Sequence, residues 1–370
     1  MTRVMRDSVF SPSFGNRPSQ LVGRDQVLTA LLDGLLTKPG SRERASLLLG
    51  QRGSGKTVLL LELGDCARKR GLAVAMPTIV SSDMLERILE KLWVECDHML
   101  GTRGPRVIGG GVSALGFSAN LQFATQQEAT GSFQRQLTEL VDRFNQHGIP
   151  VLILIDEVQA NSEHIRQLVI AYQELIGQGA DLALSIAGLP GAISATLNDH
   201  VLTFLNRATK VRLAPIPIGE IDAFFEDSFR KLGLSISPAL RRVAAESTLG
   251  SPYLLQLVGH YLCLRGKLGM ELGREEVDAA LALSRSDFET DVCRTTLNTL
   301  SEMDVNFLVS MSEDQVSSRI SDIAARLGVS RDYAQKYRKR LIDAGVIQPA
   351  GRGRLSFSVP YLAHYLRTSR

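Results

Sequence analysis

Gly50, Gly53, Gly55, Lys56 and Thr57 stand together in LLLGQRGSGKTVLL, residues 47–60. The spacing G-x-x-x-x-G-K-[ST] describes a loop that turns its backbone N–H groups inward, in conformations a Cβ would obstruct. Such a loop cradles phosphate oxygens, with Ser54 inside the turn. Lys56 can reach the β- and γ-phosphates of ATP, and the Thr57 hydroxyl can coordinate Mg²⁺. A second pair, Asp156 and Glu157, ends the apolar run VLILI. Asp156 would hold the metal, directly or through water, and Glu157 would orient and activate an attacking water. Taken singly, each stretch has a bland reading, a glycine turn or a solvated acidic turn. Together they favour a nucleotide site, and Glu157 directly after Asp156 suits hydrolysis better than a small-molecule kinase.

The elements that must position these residues are legible as patterns. SLLLG reads as a buried strand, and KTVLLLELGDCARKR as a helix whose positive N-terminal end favours an anion. VLILIDEVQA reads as a central strand with its carboxylates at the C-terminal end, where ligands bind in parallel sheets. GLAVAMPTIV, DLALSIAGLPG and NRATKVRLAPIPI supply further strands. Between them lie helical patterns, among them SSDMLERILEKLWVECDHML, with Ser82 or Asp83 as its cap, and SFQRQLTELVDRFNQHG. Strands alternating with helices predict an α/β parallel sheet. Residues 101–125 break the pattern. Phe117, Ala119, Leu121 and Phe123 alternate with polar residues there, which predicts an inserted β-hairpin, better explained as a surface flap than as a contact arm. From Gly219 to about Ser286 only helical patterns occur, predicting a small all-helical unit.

A chain of 370 residues suggests two or three domains. Its 44% apolar and 22% charged residues are ordinary for a globular protein. No apolar run approaches a membrane span, and MTRVMRDSVFSPSFG lacks a signal-peptide core, so a cytoplasmic location without membrane partners is expected. Cys66, Cys96, Cys263 and Cys293 have no paired spacing and read as reduced buried thiols.

The C-terminal end carries the charge. From Asp304 onward eleven Lys and Arg face six Asp and Glu, about +5, although the whole chain is only +3. SRISDIAARLGVSRDYAQKYRKRLIDAGVI reads as helix, turn, helix, with Gly328 in the turn and Ser330 as N-cap. The second helix turns Ala334, Tyr337, Leu341 and Ile342 inward. Outward it shows Arg331, Gln335, Lys336, Arg338, Lys339 and Arg340. VIQPAGRGRLSFSVP then gives two strands and a turn bearing Arg352 and Arg354, the layout of a winged helix. Double-stranded DNA is the expected partner, with Arg331, Gln335 and Lys336 nearest the base edges. Docking to a protein partner through the same unit is the alternative.

LVGRD at Leu21–Asp25, the glycine loop, LILIDEVQ and GSPYLLQLVGHYL at Gly250–Leu262 follow one another in an order that resembles the AAA+ superfamily. The likeness covers roughly residues 12–290 and is greatest to the archaeal-ATPase and origin-recognition-type branches. GRGRLSFSVPYLAHYLR also resembles the end of winged-helix units in such ATPases. The resemblance implies a P-loop domain over residues 1–215, a helical lid over 216–290 and a winged helix over 291–370. It implies that Val22 and Gly23 line the adenine. It also makes Arg207 the arginine finger that a neighbouring subunit inserts, hence a homo-oligomer when ATP is bound. Two positions depart from the family. Strand LSIAGLPG has only Ser185 as a hydroxyl, and Pro252 stands where many relatives place an arginine that contacts the γ-phosphate. These departures imply slow, switch-like hydrolysis, and they leave a STAND-type signalling switch as a rival reading.

Overall fold

The computed structural model describes residues 9–12, 20–77, 83–101, 126–159, 162–197, 202–266 and 270–368, with the side chains of 126–132 left aside. The first part of the chain runs α1 (Asp25–Leu35), β1 (Ala45–Leu49), α2 (Lys56–Lys69), β2 (Ala73–Ala75), α3 (Met84–Leu100), α4 (Gln126–Gln146) and β3 (Val151–Val158). It continues through α5 (Glu163–Gly177), β4 (Leu182–Gly188), α6 (Pro190–Leu197) and β5 (Thr209–Arg212). The five strands form one parallel sheet in the order β2-β3-β4-β1-β5. The expected hairpin at 101–125 lies outside the described residues, apart from Gly101.

Strand alternation splits the core between two faces. Leu47, Leu49, Ile153 and Ile155 pack with α3, α4 and α5 on one side. Leu48, Leu152 and Leu154 pack with α1 and α2 on the other. Both faces are covered, so β1, β3 and β4 are near-continuous apolar runs, as all-parallel sheets require. Each such leucine or isoleucine contributes roughly 1.5–3 kcal/mol by leaving water. Helix α2 lies close on the strand that bears the carboxylates, because Gly64 admits Leu154; a Cβ there would meet Leu154 Cδ1 at 3.0 Å. That approach sets the start of α2 against the tip of β3.

The next elements are α7 (Ile218–Leu232), β6 (Ser235–Ile236), α8 (Pro238–Ser247), α9 (Pro252–Arg265), β7 (Glu271–Leu272) and α10 (Arg274–Phe288). They enclose their own apolar cluster, which also takes in Phe10 from the N-terminal segment. The two-residue parallel pair β6–β7 corrects the all-helical expectation for this stretch; pairs that short carry no readable alternation. A π-helical turn (Glu289–Arg294) and α11 (Thr295–Asn298) lead onward to α12 (Glu302–Ser312), β8 (Ser318–Arg319), α13 (Ile320–Leu327) and α14 (Arg331–Asp343). The chain then forms β9 (Ile347–Pro349), β10 (Arg354–Phe357) and α15 (Leu362–Thr368). Strands β8, β10 and β9 make an antiparallel sheet, one strand more than expected, beside the helix–turn–helix of α13 and α14. Ser330 caps α14 by accepting from Tyr333 N. Asp83, by contrast, makes no cap hydrogen bond to the start of α3; its carboxylate takes the Arg87 guanidinium at 2.6 Å instead.

Candidate nucleotide site

The loop between β1 and α2 sits at the C-terminal edge of the sheet. Gly53 (φ 74°) and Gly55 (φ 85°) occupy the left-handed region, where a side chain would be strained. A Cβ on Gly50 would fall 2.3 Å from Ser54 Oγ, so that glycine keeps the cradle open. The Ser54 hydroxyl is buried and has no protein partner among the described residues. Lys56 Nζ donates to the carbonyls of Gly50 (2.9 Å) and Gln51 (2.8 Å). Burial pulls its ammonium down to about 8, a shift opposed by the nearby Asp156 and Glu157 and reinforced by Arg52.

Across 99 residues of sequence, Thr57 Oγ1 donates to Asp156 Oδ2 at 2.6 Å. The pairing of β3 with β4 is interrupted between Ile155 and Val158. Within that irregularity Glu157 takes φ 55°, a conformation that costs a non-glycine residue about 1–3 kcal/mol. The bulge re-aims the side chain and leaves Glu157 exposed, with its N–H donating to Asp156 Oδ1 at 2.9 Å. Strain of this kind clusters where geometry serves chemistry. The oxygen donors Thr57 and Asp156, beside a phosphate-shaped cradle, fit Mg²⁺, which takes one or two carboxylates and completes its shell with phosphate oxygens and water.

Three side chains that the sequence did not single out also frame the loop. Arg24, 6% exposed, donates to Ala214 O at 2.7 Å and reaches Ser54 O at 3.5 Å, tying the loop to the segment after β5. Burial lowers its pKa, and Glu220 opposes that shift. Tyr253 lies at the start of α9, where its Cβ would be 3.4 Å from a Cβ on Gly53. Gln51 lies in the loop itself, and its carbonyl accepts from Lys56 Nζ. A buried clamp and an ordinary tyrosine leave no spacing signal, which is why pattern reading passed over them.

The remaining expected residues fall as follows. Pro252 begins α9 and packs on the loop, with its Cγ 3.5 Å from where a Gly55 Cβ would be. Val22 is half-buried against the α7–α10 cluster. Gly23 (φ 66°) abuts Ile216 and Glu220. Arg207 is exposed in the 3-10 turn Thr203–Arg207, just before β5. Because β5 runs parallel to β1, that turn lies at the N-terminal edge of the sheet. The structure therefore does not bring Arg207 to its own Lys56. Ser185 is buried in β4 and hydrogen-bonded to Ser46 Oγ at 2.7 Å.

On α14, Arg331, Lys336 and Lys339 are exposed, while Gln335 and Arg338 are half-buried and lie 3.3 Å apart at their tips. Arg352 is exposed in the β9–β10 turn, whereas Arg354 donates to Ser317 O and Oγ. Arg340 is exposed as well, with about half of its side chain open to solvent. Its guanidinium pairs with the buried Asp304 at 2.6 Å, donates to Ser301 Oγ at 2.8 Å and covers the Tyr337 ring. All four cysteines are free thiols; Cys96, Cys263 and Cys293 are buried as expected, whereas Cys66 is only half-buried. Among the described residues no helix is long and apolar enough to cross a membrane.

Comparison with known proteins agrees with this geometry. Residues 20–186 match the AAA ATPase domain family. Residues 290–366 match a domain family of unknown function, DUF8462. No match was found among curated proteins. Among solved structures, a Walker-type ATPase of Pyrococcus abyssi is similar with a TM-score of 0.68 at 17% identity, over 95% of this chain and 97% of its own. The ORC2 protein of Aeropyrum pernix, in its ADPNP–ADP complexes, gives 0.63 at 16% identity, over 96% and 94%. Residues 20–186 thus match the AAA ATPase domain family, and the chain shares its fold with these solved ATPase structures.

Proposed function

We propose that this protein binds Mg·ATP between the Gly50–Thr57 loop and Asp156, hydrolyses it slowly, and uses its nucleotide state to control how its C-terminal winged helix engages duplex DNA. The observation that carries the reading is the 2.6 Å hydrogen bond between Thr57 and Asp156, which joins two motifs that sequence separates by 99 residues. Backbone N–H groups of the loop hold the phosphate oxygens, and Lys56 offsets their charge. Thr57 and Asp156 hold Mg²⁺, which when bound neutralises charge on the phosphates. Glu157, turned out of its strand by the bulge, orients the attacking water and receives its proton.

In this reading residues 1–215 form the ATP-binding unit, 216–290 the lid and 291–370 the winged helix. Val22 and Gly23 border the base. Arg207, at the opposite edge of the sheet from the loop, serves a neighbouring copy, so turnover requires an oligomer. Arg331, Gln335 and Lys336 meet base edges, and Arg338, Lys339, Arg352 and Arg354 meet phosphates. A second reading, an ATP switch of the STAND type with little turnover, is favoured by one feature. Pro252 stands against Gly55, a place where a lid cation would otherwise reach the γ-phosphate.

ATP hydrolysis by the full chain with and without duplex DNA, beside fluorescence anisotropy of a labelled duplex at several salt concentrations, tests the proposal. The expected result is slow turnover altered by DNA, and salt-sensitive binding that depends on ATP. Bound ADP without steady turnover would select the switch. No binding at low salt with ATP present would remove the DNA assignment.

A further inference from the structure

The C-terminal end of α14 is seated on the nucleotide loop itself. Gly345, two residues past that helix, is buried with φ 70°, and a Cβ there would lie 2.3 Å from Gln51 Oε1. It would also lie 3.0 Å from both Cδ and Nε2, so the Gln51 amide presents its edge to this backbone at close range. A second glycine makes a second close approach. A Cβ on Gly191, in the first turn of α6, would fall 1.9 Å from Asp343 O and 2.4 Å from its carbonyl carbon. Helix α6 follows β4 at the same edge of the sheet as the loop, so both approaches press one end of the basic helix onto the nucleotide edge. A third route runs through the lid. Tyr253, beside Gly53, donates its hydroxyl to Asp291 at 2.7 Å, in the π-helical turn that leads into the C-terminal unit. Single π-turns inside helices are frequent at functional sites.

Gln51 therefore faces two ways. Its side chain supports Gly345, while its carbonyl accepts from Lys56 Nζ at 2.8 Å. A triphosphate in the cradle draws that ammonium toward its own oxygens. The Gln51 carbonyl then gives up its cationic donor, which frees the residue that holds the end of α14 to move. Packed backbones of this kind do not stretch apart gradually; they hold or they part.

We propose that triphosphate binding and docking of α14 compete for Gln51, so that the phosphates release the basic helix from the ATPase core. The proposal rests on the reading of Gly50–Thr57 as a triphosphate site, and it needs no assumption about what α14 binds.

The test uses the full chain. Gly191→Ala places a methyl where Asp343 backbone now lies; it is outside the phosphate machinery and at an ordinary φ. Gln51→Ala frees the same helix end by a different route. ATP affinity is titrated, and hydrogen exchange of the backbone amides of residues 340–346 is followed with and without Mg·ATP. In the wild type, saturating Mg·ATP is expected to speed that exchange. Gly191→Ala should exchange fast already without nucleotide and bind ATP about fivefold or more tighter, since coupling is reciprocal; Gln51→Ala should also exchange fast without nucleotide. Wild-type exchange that saturating Mg·ATP leaves unchanged overturns the proposal. So does a Gly191→Ala chain that exchanges fast yet binds ATP within twofold of wild type, or one whose exchange is unaltered while Gln51→Ala is also silent. A wild type that binds no ATP removes the underlying reading and the proposal with it, and that failure appears in the titration before any exchange is measured.

Discussion

Lys56 and the cations of α14 present a contrast in how charge is held. At the nucleotide loop the cation is withdrawn from water and its partners are neutral carbonyls, Gly50 O and Gln51 O, with Asp156 and Glu157 near enough to pull on its titration. At the C-terminal unit the charge is plentiful but much of it is already engaged. Arg340 serves the buried Asp304, Arg326 pairs with Asp314 at 2.7 Å, and Arg354 is anchored to Ser317. Arg331, Lys336 and Lys339 on the helix, with Arg352 in the turn, are exposed and have no ion pair among the described residues. A motif whose geometry is local keeps its function visible in sequence. A charge count does not, because partners distant in sequence neutralise part of it.

The contrast can be broken first at the loop. Lys56→Ala should weaken ATP binding by about a hundredfold or more, the change expected when a charge-assisted phosphate hydrogen bond disappears from a half-buried site; calorimetric titration checks it, and affinity close to wild type would contradict the role. Next comes Glu157→Gln. ATP affinity should stay within about threefold, while turnover falls on the order of 10²–10⁴, the usual contribution of a general base. Normal turnover in that variant would refute the assignment.

At the C-terminal unit the contrast predicts that neighbouring cations behave differently. Arg340→Ala should cost about 1–3 kcal/mol of stability, since it strips the buried Asp304 of its ion partner. Arg331→Ala and Lys336→Ala should change stability by no more than about 0.5 kcal/mol. Each should instead make duplex binding less salt-dependent, by about one unit of slope for every phosphate the variant no longer neutralises. Thermal melts beside salt titrations separate the two classes, and equal drops in melting temperature for Arg340→Ala and Arg331→Ala would erase the distinction.

The smallest effect is in pH. With Lys56 titrating at about 8 rather than near 10.5, the folded chain loses its phosphate-binding proton on rising through that value. ATP affinity should therefore be level below about pH 7 and fall above 8, approaching tenfold per pH unit. The sign for folding is opposite. A lowered lysine pKa means the unfolded chain binds more protons between about 8 and 10.5, so this group adds stability as pH rises through that window.

What could be read from sequence follows the range of the interactions involved. The loop glycines, the apolar strand runs and the Ser330 cap are set within a few residues, and each showed itself locally. The five-stranded parallel sheet followed from apolar runs alternating with helical patterns. The strand order did not, nor did the Glu157 bulge, because a strand reads the same until its partner's register shows the shift. Asp83 was a reasonable cap by type, but Arg87 one turn on offered a better partner. Arg340 is exposed, like Lys336 and Lys339, and its engagement with Asp304, 36 residues earlier, left no local signal. Gln51 carried no signal at all; it occupies a position where the loop motif accepts any residue.

The account depends most on one ion shared by Thr57, Asp156 and a triphosphate. Titrating ATP into the wild type and into Asp156→Asn, each with and without Mg²⁺, addresses it directly. The account predicts that Mg²⁺ strengthens ATP binding in the wild type and that this strengthening vanishes in Asp156→Asn, while metal-free binding persists through the loop. An Mg²⁺ effect that survives in Asp156→Asn, or a wild type indifferent to the metal, would contradict it.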